Sequence, residues 1–178
     1  MANNDASNIK LGTCQIKFGG VDLGFTMGGV EATVETSTHT TQIDQHGDTP
    51  VNERITGRTV KVNVPLAETT LENLVAIMPG STLVTDSVDA NKKKVVVSTG
   101  IGTSLLDSAQ ELVLRPIDKV GTDDASEDFT VFLANTPGGM SFAYKIDEER
   151  VYNTEFTGYP DIANNGNLFS YGDNSATP

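Results

Sequence analysis

Two long stretches of the chain alternate apolar and polar residues with the period of an extended strand, and a shorter one directly after them carries the period of a helix. Over 30–44, V-E-A-T-V-E-T-S-T-H-T-T-Q-I-D, Val30, Ala32 and Val34 fall on one face and Glu31, Thr33 and Glu35 on the other. From Thr36 the apolar face stops: Thr36, Ser37, Thr38, Thr40 and Thr41 have no core to enter. The second stretch, 54–66, sets Val60, Val62, Val64 and Leu66 against Thr59, Lys61 and Asn63. The connection 46–53 contains Gly47 and Pro50, which belong in turns. The pair predicts a long β-hairpin with one wetted face, whose outer part must lie against something other than its own domain. The following A-E-T-T-L-E-N-L-V-A-I-M-P-G predicts a helix over 70–78, capped by Thr69 with Glu72 closing a capping box and ended by Pro79-Gly80. Leu71, Leu74, Val75 and Met78 form its expected apolar face.

The remaining patterns are also mainly extended. C-Q-I-K-F, Gly19-Gly20 and V-D-L-G-F predict a short hairpin near the start. Further strands are expected at 82–85 and 93–99, and a second short helix at 104–110. E-L-V-L-R-P-I is a strand closed by Pro116, an acidic loop follows at 122–128, and F-T-V-F-L-A from Phe129 is expected to be buried on both faces. P-G-G then turns the chain, and S-F-A-Y-K-I-D is expected to pair back. The last strand, 151–159, carries Tyr152, Phe156 and Gly158 on one side and Asn153, Glu155 and Thr157 on the other. Residues 1–10 form a flexible arm, 11–160 one β domain, and 161–178 a polar segment with Leu168, Phe169 and Tyr171 as a docking point. The fold class is mainly β: a β-sandwich or partly closed barrel with one flanking α-helix and a long protruding β-hairpin.

Composition narrows the function. A chain of 178 residues suffices for one domain with a core, and no apolar run is long enough to span a bilayer. The start, M-A-N-N-D-A-S-N, has neither the basic nor the apolar part of a signal peptide, so assembly in a cytoplasm is expected. Cys14 is the sole cysteine, which excludes an internal disulfide and predicts a buried free thiol. Twenty-four acidic against twelve basic residues give a net charge of −12, which disfavours binding by phosphate neutralisation.

Candidate chemistry is sparse. The densest set of potential metal ligands is His39, Asp44, His46 and Asp48, and Asp44, His46 and Asp48 at period two can share a strand face. Gly47 and Pro50 instead favour a solvated turn there, so no metal is expected. Asp123, Asp124, Glu127 and Asp128 lack the spacing and central glycine of an EF-hand. Gly100 and Gly102 before Ser104 do not make a phosphate loop, and no nucleophile elbow or triad is visible. Neither an enzyme nor a cofactor is therefore expected. Lys92, Lys93 and Lys94 open a strand, either as a wet edge that discourages aggregation or as a contact for the acidic loop, Asp123 and Asp124, of a neighbouring copy.

The order of segments resembles the major tail tube proteins of tailed bacteriophages, which share a superfamily with type VI secretion tubes. The likeness lies in the N-terminal hairpin, the long hairpin, P-L-A-E-T-T-L-E-N-L-V-A-I-M-P-G, E-L-V-L-R-P, the acidic loop, S-F-A-Y-K-I-D-E-E-R-V-Y and a final F-x-x-Y-P-D. It implies a virion structural protein assembled in the host cytoplasm, with copies forming hexameric rings stacked into a hollow tail tube that delivers the genome. The implied partners are further copies of itself, a tape-measure protein, a baseplate or tail-tip initiator and a tail terminator, with a sheath protein as a further candidate. DNA would pass without specific binding. On this resemblance Glu31, Glu35, Thr59, Asn63, Asn153, Glu155 and Thr157 line an acidic lumen, with Lys61 the exception. His39, Asp44, His46, Asp48 and Arg54 on the hairpin, with Lys92, Lys93, Lys94, Asp123 and Asp124, make contacts between copies. The alternatives are the tube of a contractile secretion or bacteriocin machine, and a monomeric β-sandwich binding or decoration module.

Overall fold

The computed structural model describes residues 10, 12–141, 144–147 and 149–176. Its strands are β1 (Cys14–Phe18), β2 (Val21–Asp22), β3 (Glu31–Thr41), β4 (Asn52–Leu66), β5 (Ser81–Thr85), β6 (Lys93–Val97), β7 (Gln110–Pro116), β8 (Phe129–Asn135), β9 (Tyr152–Tyr159) and β10 (Phe169–Tyr171). One helix, α1 (Leu71–Ile77), follows β4. The main sheet is antiparallel in the order β2-β1-β7-β8-β9-β4-β3, with β10 also paired to β8, while β5 and β6 form a separate ribbon. Among the described residues no helix is long and apolar enough to cross a membrane.

The main sheet folds back on itself. In a flat sheet β1 and β9, three positions apart, would be separated by about 14 Å. Yet the Phe18 and Phe156 rings lie 5.0 Å apart at a tilt of 51°. Between these layers sits one core, including Ile16, Leu23, Val60, Val62, Val64, Leu66, Leu112 and Val131. Gly158 permits the closest approach, since a Cβ there would lie 2.9 Å from Val131 Cγ1 and 3.2 Å from Val60 Cβ. The C-terminal segment is tied to this body through β10, where Phe169 stacks 5.2 Å from Phe129.

Helix α1 starts one residue later than expected. Thr70, not Thr69, is the N-cap, accepting the Asn73 N–H at 3.1 Å. No capping box forms, because Glu72 is drawn to Lys93 Nζ at 3.0 Å. The buried residues are Asn73 and Ile77, rather than the expected stripe of Leu71, Leu74, Val75 and Met78. Asn73 Nδ2 donates to Leu23 O at 2.8 Å and Glu68 O at 2.9 Å, so a polar side chain fastens the helix to the chain on either side of the hairpin.

Two other elements differ from expectation. Residues 104–110 form turns, held by Asn135 Nδ2 donating to Leu105 O at 2.6 Å and Ser108 Oγ at 2.8 Å. Tyr144–Asp147 is not a strand, and Phe142 and Ala143 of that expected strand lie outside the described residues. Residues 1–9 of the expected N-terminal arm also lie outside them, while Lys10 pairs with Glu127 at 3.0 Å.

Candidate functional site

Strands β3, β4 and β9 bring most of the sequence-selected polar residues onto one exposed face, because side chains in lateral register share a face. Glu31, Asn63 and Glu155 form one row, Thr33, Lys61 and Thr157 the next, and Glu35 faces Thr59. Asn153 lies beside Pro65 at the edge of the same surface. All are exposed except the half-buried Thr157 and the buried Pro65. Lys61 Nζ donates to Glu155 Oε1 at 2.9 Å, and this hydrogen bond, with the charges of Glu155 and Glu35, holds the ammonium pKa above its ordinary value. Three glutamates against one lysine leave the face acidic.

The opposite face of the same hairpin has two regimes. On β4, Val60, Val62, Val64 and Leu66 are fully buried. On β3, Ala32 and Val34 are exposed, Val34 by 40%, although they pair with Val62 and Val60. This corrects the expected inward face of β3: the opposing layer covers β4 and stops short of its neighbour. Among the described residues the outer edge of β3 also has no strand partner. Beyond a bulge at Ser37/Thr38, His39 pairs with Arg54 and Thr38 with Ile55, which is 59% exposed.

No protein-family model matches the chain, and no curated protein matches it.

The remaining selected residues do not converge. Asp44 and His46 lie in a 3-10 turn, Gly47 follows at φ 58°, and the Asp48 carbonyl accepts from Gln42 Nε2 at 2.8 Å. Asp44, His46 and Asp48 therefore do not share a strand face. Among the described residues no group of three or more His, Cys, Asp or Glu is placed to hold a metal ion. Lys92 lies 3.8 Å from Asp89 and Lys93 is paired with Glu72, while Lys94 faces Val84 across the ribbon. In the acidic loop Asp124 is bonded to Lys119, which holds its carboxyl well below the usual carboxylate range. Asp123 is close enough to Arg115 to raise the guanidinium pKa, to which Asp128 contributes most through its hydrogen bonds. Lys93 and Asp124 thus have partners within the protomer.

Sequence patterning missed Arg115 and Asp128 as a pair. Arg115 Nε lies 3.0 Å from both Asp128 oxygens, and Asp128 is buried, so the pair clamps the end of the acidic loop to β7. Cys14 is half-buried, and burial pushes its thiol pKa up, which keeps it in the unreactive protonated form.

Proposed function

We propose that this chain is the repeating subunit of a bacteriophage tail tube, assembling into hexameric rings that stack around a channel for the genome. The observation that carries this is the hairpin itself. It joins a continuous polar face, with Glu31, Glu35 and Glu155 in register, to an arm left uncovered on both sides. Repeated around a ring, the polar face becomes a wall from which DNA is repelled by like charge. Neighbouring copies cover the arm, which its own domain cannot do. Ring closure also occupies the open edge of β3, which would otherwise invite uncontrolled pairing.

Negative-stain electron microscopy of the full chain, concentrated and seeded with its natural tail-tip initiator, tests the proposal. Rings and hollow tubes are expected; single globules under these conditions would overturn it. Deleting 43–51 should leave a folded protomer that no longer grows tubes. Replacing Glu31, Glu35 and Glu155 together with lysine should slow DNA ejection from particles that still assemble. Normal ejection would remove the repulsive wall from the proposal.

A second reading is favoured by the Lys61–Glu155 pair, which partly neutralises the wall. A tube that carries protein cargo, in a secretion or bacteriocin machine, has no need of an acidic bore. Tubes isolated from producing cells distinguish the two: attachment to DNA-filled heads supports the phage tail, and headless particles the alternative.

A further inference from the structure

Strand β4 connects two uncovered surfaces at opposite poles of the protomer. Its fifteen residues span about 50 Å. The hairpin arm stands at its first end. At its last end lies a groove of about 480 Å³, whose lining includes Cys14, Asp22, Phe25, Glu68 and Ile117. Phe25 is 78% exposed and Ile117 56%, so two large apolar side chains stand in water there. Between the chain segments Glu68 is fixed in place, its Oε1 accepting the Phe25 N–H at 3.0 Å. Asp22 is fixed likewise, accepting the Gly24 N–H at 2.9 Å.

The arm offers the complementary chemistry. Val34, Thr36 and Thr38 alternate onto one face of β3, and Thr36 and Thr38 pair with Arg58 and Ile55. One arm face therefore reads Val34, Arg58, Ile55, a cation between two exposed apolar side chains. Among the described residues Arg58 has no ion pair. The groove presents carboxylates beside two exposed apolar side chains. Arg58 and Glu68 are ten residues apart on one extended run, about 34 Å, so a protomer's own arm does not reach its own groove.

We propose that the groove is the acceptor for the arm of a second copy, with Arg58 approaching Glu68 and Ile55 seated against Phe25 and Ile117. Donor and acceptor lie at opposite poles, so the contact is head to tail and repeats along an axis without closing. This rests on the tail-tube proposal and adds the surface that receives each arm.

Phe25→Glu and Arg58→Glu alter exposed positions, and circular dichroism should show both proteins folded. Electron microscopy should show that each forms separate rings that do not stack, and that Arg58→Glu combined with Glu68→Arg regains tubes. If both single variants stack into tubes of ordinary length, the groove proposal fails while the tube proposal stands. If the unaltered chain forms neither rings nor tubes in the same preparation, both fail. A cross-linking arm uses a Cys14→Ser background, with Thr13→Cys in one population and Ile55→Cys in another. A bismaleimide should join the mixed populations into a covalent pair under assembling conditions. Tubes that form without that pair would also overturn the groove proposal.

Discussion

The two halves of strand β4 differ in everything except secondary structure. From Val60 to Leu66 each inward side chain is buried against the opposing layer. From Asn52 to Thr59 the strand is as well paired with β3, yet all its residues are exposed. Backbone hydrogen bonding thus extends well beyond the reach of the core. Burial of apolar area dominates stability, so the covered half holds the fold together and the uncovered half is free to serve another purpose.

That contrast can be broken in the covered half by Leu66→Ala. The side chain is fully buried, and its loss should lower unfolding free energy by about 2–5 kcal/mol in urea titration. A loss below about 1 kcal/mol, within the range of ordinary surface changes, would mean that the covered half is not the source of stability. Next in size is Asn73→Ala, which strips the Leu23 and Glu68 carbonyls of their donor where α1 meets the end of β4. It should cost about 1–3 kcal/mol, with earlier amide exchange in α1 than in β4. Thr70→Ala removes the helix cap and should cost about 1 kcal/mol. In the uncovered half Ile55→Ser should move stability by less than about 0.5 kcal/mol. A larger loss there would show that the arm is part of the protomer's own core.

Smallest is the effect of acid on the α1 to β6 contact. Lys93 holds the Glu72 carboxyl below its ordinary 4.5, chiefly through their hydrogen bond. Its stabilisation is fully present above that value and fades as pH falls through the lower folded value. Lys93→Ala should therefore reduce the difference between melting temperatures at neutral pH and near pH 3, with little change at the acidic end. An unchanged pH dependence would argue that the pair is absent in solution.

The hairpin and α1 were legible in the sequence because their periods are long and free of interruption. The two sides of β3 were not, since Val30, Ala32 and Val34 alternate as a buried strand does. What decides their exposure is how far a distant layer extends. Thr69 and Thr70 are chemically equal as caps, and the choice follows from Asn73 turning inward to meet Leu23 and Glu68. Residues 104–110 have a composition fit for a helix, but Asn135 takes their backbone and Ser108 hydroxyl as acceptors and fixes turns. Of the surface residues singled out, the seven on β3, β4 and β9 lie on one face because strand register is encoded locally. The hairpin turn, the lysines and the acidic loop depended on contacts between remote segments, which periodicity does not carry.

The open margin of β3 has a practical consequence. Eleven residues there present main-chain groups that recognise any extended peptide, whatever its side chains. A short synthetic strand carrying N-methyl groups along its far side would dock on that margin and offer nothing for the next molecule to grip. Added in excess, it becomes a terminator of growth whose dose sets how many molecules join before extension ends.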